Sequence, residues 1–225
     1  MRIVVGMPAE ASDGLWGELA DVVIDPVRRR LTHLIVQPPR RHDEARLVPI
    51  EALARCDHRL ELSWTTEQIE RAPRVEQSDY HEMGEWPELE EGWDIGVSRV
   101  WAQPYYPSAD WLDDGTRFET MLDSTLPITE TFDRIPAGTS EIRRTSEVWS
   151  SDHHRVGTVD AFVIGPDEAI SHLVLDHGHL WGRRDITVPI GDVATIRSDR
   201  VELRATKDEV GSYPSVPFRR GHLHR

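Results

Sequence analysis

Apolar residues in this chain come in short runs separated by turn residues, and the runs recur. One series reads GELADVVIDP from Gly17, THLIVQ from Thr32, LVPIEAL from Leu47 and LEL from Leu60. A second reads GTVDAFVIGP from Gly157, SHLVLD from Ser171, TVPIGDV from Thr187 and VEL from Val201. Gly17 to Gly157, His33 to His172, Pro49 to Pro189 and Glu61 to Glu202 are displaced by 139 to 141 positions, so four blocks keep both order and spacing. The chain therefore carries an internal repeat, and its short Val-, Ile- and Leu-rich runs are the pattern of strands.

Each copy predicts the same punctuation. Asp25-Pro26 and Gly165-Pro166 end equivalent strands in turns, because proline fixes its own φ and disfavours helix before it. In Val48-Pro49-Ile50 and Val188-Pro189-Ile190 a residue without an N–H interrupts an apolar run, which places it at an edge, a bulge or a strand end. Ile50 and Leu53, like Ile190 and Val193, are spaced for one helical turn before the last strand. Thr66 to Ala72 reads as a short helix stopped by Pro73, with TKDEVGSYP from Thr206 as its echo. Five or six short strands per copy dispose of their edges most simply by closing into a small barrel.

Residues 78–138 differ in character. DYHEMGEWPELEEGWD carries seven acids and no Lys or Arg, which predicts a solvated, irregular connection. Yet Trp86, Trp93, Trp101 and Trp111 also lie there, and aromatic side chains that bury about 150–250 Å² each are costly to leave in water. With Trp181 of the second copy they form the expected interaction surface, against the repeats themselves or against a partner. The organisation read from the sequence is one unit over 1–77, an acidic Trp- and Pro-rich connection over 78–138, a second unit over 139–214 and a basic tail over 215–225.

The sequence of a strand ending in Asp or Gly before Pro, a His-Leu-Ile/Val strand, a Val-Pro-Ile strand and a closing Glu-Leu resembles the PRC-barrel family, most visibly in GHLWGRRDITVPI from Gly178. The resemblance implies an all-β chain of two small PRC-like β-barrels in tandem, acting as a non-catalytic assembly module whose partner is another protein or a second copy. Ribosome-associated relatives make an RNA-processing adaptor the alternative. The family brings no catalytic residue and no cofactor.

Charge narrows the partners. Lys plus Arg number 26 against 40 Asp plus Glu, a net charge of −14 that repels nucleic-acid phosphates, so direct nucleic-acid binding is not expected. No run approaches the roughly 20 apolar residues of a spanning helix, and the N-terminal residues lack a signal-peptide core; the expectation is a soluble cytoplasmic chain without membrane insertion. One cysteine, Cys56, excludes an internal disulfide framework.

Candidate chemistry concentrates on histidine. His177 and His179 project to one side of an extended strand, the geometry of two zinc ligands, whereas a site needs three or four. They are the metal or small-ligand candidates, set against a hairpin corner with Leu180 and Trp181 packing across it. His153-His154 reads as a polar hairpin, His33 and His172 as matched structural histidines, and His222 and His224 as a tail pair. Cys56-Asp57-His58 and Ser151-Asp152-His153 are neighbours in sequence without the spatial convergence that nucleophilic catalysis needs. Glu90-Glu91 and Asp113-Asp114 read as solvated charge, and no nucleotide-loop or hydrolase motif occurs. No catalytic residue is assigned.

Overall fold

A computed structural model of the chain describes residues 1–82, 89–102, 127–165, 167–177 and 184–216. The first half contains β1 (Arg2–Val4), β2 (Pro8–Ala11), β3 (Gly14–Asp25), β4 (Arg30–Gln37), β5 (Arg46–Pro49), β6 (Leu53–Cys56), β7 (Leu60–Leu62) and α1 (Thr66–Arg71). Three strands follow: β8 (Glu76–Glu82), β9 (Trp93–Ala102) and β10 (Pro127–Pro136). The second half contains β11 (Ser140–Arg143), β12 (Glu147–Trp149), β13 (Arg155–Ile164), β14 (Ile170–His177), β15 (Arg184–Pro189), β16 (Val193–Arg197), β17 (Arg200–Leu203), α2 (Lys207–Ser212) and β18 (Ser215–Val216). The all-β expectation holds at this level. Among the described residues no helix is long and apolar enough to cross a membrane.

Both halves order their strands alike, β5-β4-β3-β2-β7-β6 in the first and β15-β14-β13-β12-β17-β16 in the second, with β18 added beside β15. Irregularities recur at matching places. Bulges fall between Leu19 and Asp21 and between Val159 and Ala161, and the ladder slips again at Val23/Ile24 and Val163/Ile164. Pro49 and Pro189 each lead into a single 3-10 turn, Ile50–Ala52 and Ile190–Asp192, as the spacing predicted. That turn carries the chain from β5 to β6 without a ladder between them, so among the described residues neither sheet closes into a complete barrel. The proline has no N–H to extend the pairing.

The connection is not irregular where it is described. β8, β10 and β9 form a three-stranded antiparallel sheet, with β10 in the middle. Ile128, Glu130 and Phe132 alternate with Thr129 and Thr131, a period of two that the acid-rich composition obscured. Pro127 opens β10, where its missing N–H costs least. Beneath this sheet Val23, Ile35, Ala45, Leu47, Val75 and Ile135 form a small apolar cluster that fastens it to the first half.

Sheet membership also departs from the division at 1–77 and 139–214. β3 is long enough that β2 pairs with only its beginning, and the rest of that edge is taken by β11: Ser140 faces Ile24 and Arg143 faces Asp21. β13 likewise pairs with β12 at its start, and β1 takes the remainder, with Arg2 against Val163 and Val4 against Ala161. Each half thus lends its first strand to the other, which satisfies backbone groups that would be left bare at an edge. The contacts are reciprocal elsewhere too: Leu31 N–H donates to Glu168 O (3.2 Å) and Ile170 N–H to Arg29 O (2.9 Å). Reciprocity of this kind is the mark of a two-fold arrangement. One apolar cluster accordingly runs through both halves, including Ile3, Leu19, Leu34 and Ile142 with Phe162, Leu173 and Val201.

Both helices start with a capping box. Thr65 Oγ1 accepts from Gln68 N–H while the Gln68 side chain accepts from Thr65 N–H, and Thr206 with Glu209 repeats it. Ile69 and Val210 are then held in the core. Thr65→Ala and Thr206→Ala should each lower the free energy of unfolding by about 1 kcal/mol, measured by urea denaturation.

Candidate functional site

The histidine-rich corner lies mostly outside the described residues. His177 ends β14 in register with Arg184, and its backbone alone is described. His179, Trp181, Trp86 and Trp111 fall outside the described residues, as do Asp113-Asp114 and the tail pair His222 and His224. Trp101 lies on β9 opposite Thr129. Trp93 is half-buried against the small apolar cluster, and the Arg134 guanidinium stands 4.5 Å over its ring. A cation–π contact of this kind ties β9 to β10.

The sequence neighbours with a catalytic look serve other ends. Burial pushes the Cys56 thiol up to about 11, which disfavours the nucleophilic thiolate, and its Sγ donates to Arg2 O at 3.1 Å. Asp152 accepts from Lys207 N–H (3.0 Å) at the start of α2, as Asp13 accepts from Thr66 N–H (2.8 Å) at the start of α1. His153 adopts a left-handed φ of 61° in that hairpin. His33 and His172 occupy matching register positions opposite Pro49 and Pro189.

The strongest concentration of chemistry is a buried knot of charge where the first half meets the central sheet. Asp21 of β3, Asp133 of β10 and Glu141 of β11 are all buried, Glu141 completely. Arg143, two residues along β11 and therefore on the same face, donates from Nη2 to Asp133 Oδ2 and from Nε to Glu141 Oε1 (2.8 Å), with Asp21 Oδ2 3.7 Å from Nε. His42, in the 3-10 turn His42–Glu44, sets Nε2 2.9 Å from Asp133 Oδ2 and Nδ1 2.8 Å from Gln37 Oε1.

Backbone irregularity aims these groups. Opposite Asp133 the pairing with β9 slips, because Gly96 and Val97 together face one residue of β10. The Val97 N–H donates to Glu141 Oε2 at 2.9 Å. A Cβ on Gly96 would come within 2.3 Å of that same carboxylate oxygen, so the bulge needs glycine there.

Burial, then the neighbouring Asp133, push Glu141 well above the ordinary carboxyl range, and Arg143 only partly offsets them. Burial also works to raise Asp133, but the hydrogen bond and charge of His42 and the charge of Arg143 outweigh it and hold the carboxyl low. For His42 burial opposes the imidazolium, and the bond and charge of Asp133 prevail and raise it. Burial thus disfavours a third negative charge in the knot, where Asp21 and Asp133 face the Arg143 guanidinium and the His42 ring.

Asp21, His42 and Asp133 bring three ligand atoms within 4.8 Å of one another. The Arg143 guanidinium already meets Asp133 and lies 3.7 Å from Asp21, so the group reads as an internal ion network. Sequence reading missed His42, Asp133, Glu141 and Arg143; the available signal was Asp21, a charged residue in the middle of the apolar run LADVVID. A scan against protein-family models and a search of the curated proteins both return no match.

Proposed function

We propose that this chain is a non-catalytic assembly module of two duplicated, PRC-barrel-like units, binding another protein or pairing with itself. What carries the reading is the common strand order of the two halves together with their reciprocal exchange of a first strand. A duplicated unit locked to its twin is a rigid two-fold body, and rigidity of this kind favours a scaffold, which loses little entropy on association. The resemblance of both Val-Pro-Ile regions to PRC-barrels points the same way, and the net charge of −14 weighs against the RNA-adaptor alternative.

Light scattering over a concentration series, combined with affinity capture from native lysate, tests this. The expected result is self-association or a discrete, stoichiometric protein partner that is lost when the exposed surface is altered. A strictly monomeric chain that captures nothing, or one that turns over a substrate, would overturn the reading.

A further inference from the structure

We propose that His42 is a proton-operated latch that fastens the central sheet to the first half, closed when both ring nitrogens carry hydrogen and loosened when one is lost. The reason is geometric. Nδ1 faces Gln37 Oε1 at 2.8 Å and Nε2 faces Asp133 Oδ2 at 2.9 Å, so the ring lies between two acceptors. A neutral imidazole has one N–H and one lone pair and can serve only one of them.

Turning the Gln37 amide round would ordinarily offer a donor to the bare nitrogen. Here that route is blocked, because Gln37 Nε2 donates to Glu18 Oε1 at 3.1 Å, and reversal would set the amide oxygen against a carboxylate. Only the imidazolium satisfies every partner. The two acceptors belong to different bodies, Gln37 to β4 of the first half and Asp133 to β10 of the central sheet, so the proton bridges them.

The surroundings favour the charged ring on balance. Asp21 acts on the ring from β3, Asp133 from β10 and Arg143 from β11; Glu18 is bonded to Gln37 and Glu141 to Arg143, and Arg41, Asp43 and Glu44 neighbour the ring in sequence. Arg143 alone among the close groups of the knot opposes it. His42 is raised in the folded chain, so its contribution is complete below the unfolded value of 6.5 and is lost as pH rises through the folded value. Glu141 is raised too, and its contribution fades from 4.5 upward, while that of Asp133, which is lowered, is lost only as pH falls below 3.8. The step assigned to His42 therefore lies above 6.5, clear of Asp133, and the Glu141→Gln variant separates it from the contribution of Glu141.

Hydrogen exchange of the full chain reads the latch. The opening equilibrium of amides at residues 132–135, corrected for intrinsic rates, should rise roughly tenfold between about pH 6 and about pH 8.5, the effect of one lost charge-assisted hydrogen bond. Amides of β14 should not follow it. His42→Gln should abolish the step and Glu141→Gln should retain it; the reverse pattern overturns the proposal. Should His42→Gln not fold, the ring's own titration in the unaltered chain decides by NMR: a midpoint above 6.5 is expected, and one at or below it sinks the latch.

Discussion

Arg143→Met should lower the free energy of unfolding by about 3–5 kcal/mol, among the largest effects of any single change in this chain. The side chain is the one guanidinium among three buried carboxyl groups, touching Asp133 and Glu141 directly and lying 3.7 Å from Asp21. Methionine preserves most of the volume and removes the charge, so Asp21 and Asp133 lose the guanidinium they share. An uncompensated charge in a poorly solvated site costs more than the original pair contributes. Adding Asp21→Asn and Asp133→Asn to Arg143→Met should recover part of the loss, since the three residues act as one network. Urea unfolding measures both variants. Equal stability of Arg143→Met and the parent would mean that the guanidinium is dispensable to the fold.

The second large effect concerns where damage appears. Ile3 and Ile142 are both fully buried, and Ile3→Ala or Ile142→Ala should each cost about 2–5 kcal/mol through lost burial and the cavity left behind. The informative readout is location. Ile3 stands opposite Phe162 of β13, so Ile3→Ala should first expose amides of the second half; Ile142 stands opposite Val22 of β3, so Ile142→Ala should first expose the first half. Hydrogen exchange with peptide resolution distinguishes this crossed pattern from its opposite. If each substitution loosened only its own half of the chain, the exchange of strands would be disproved.

What the letters revealed followed from local periodicity. The paired blocks, the proline-led turns after Pro49 and Pro189 and the short helix after Thr65 were all legible, because each depends on residues within one turn or strand. Two things were not. β1 is only Arg2–Val4, and no alternation over three residues says that its neighbour is β13 and not β3. The central sheet was hidden because Glu130 and Asp133 are acids in buried positions, which reverses the usual reading of charge as exposure. His42 follows Pro38-Pro39-Arg40-Arg41 in a stretch that reads as plain polar loop; only its partners, distant in sequence, give it meaning. His177 and His179 drew notice through their spacing, a signal that carries no information about what surrounds them.

The traded strands also bear on how the molecule comes into being. As synthesis proceeds from the N-terminus, β3 has an open flank until Ser140–Arg143 emerge, and β1 waits for a neighbour that is translated much later still. Nascent chains of this design cannot finish one lobe before starting the next, and pairings so far apart in sequence form slowly. The flank of β3 stays open until Ser140–Arg143 are made and β1 stays unpaired until Ala161–Val163 are made, and such unfinished edges are the ones most open to capture by other chains.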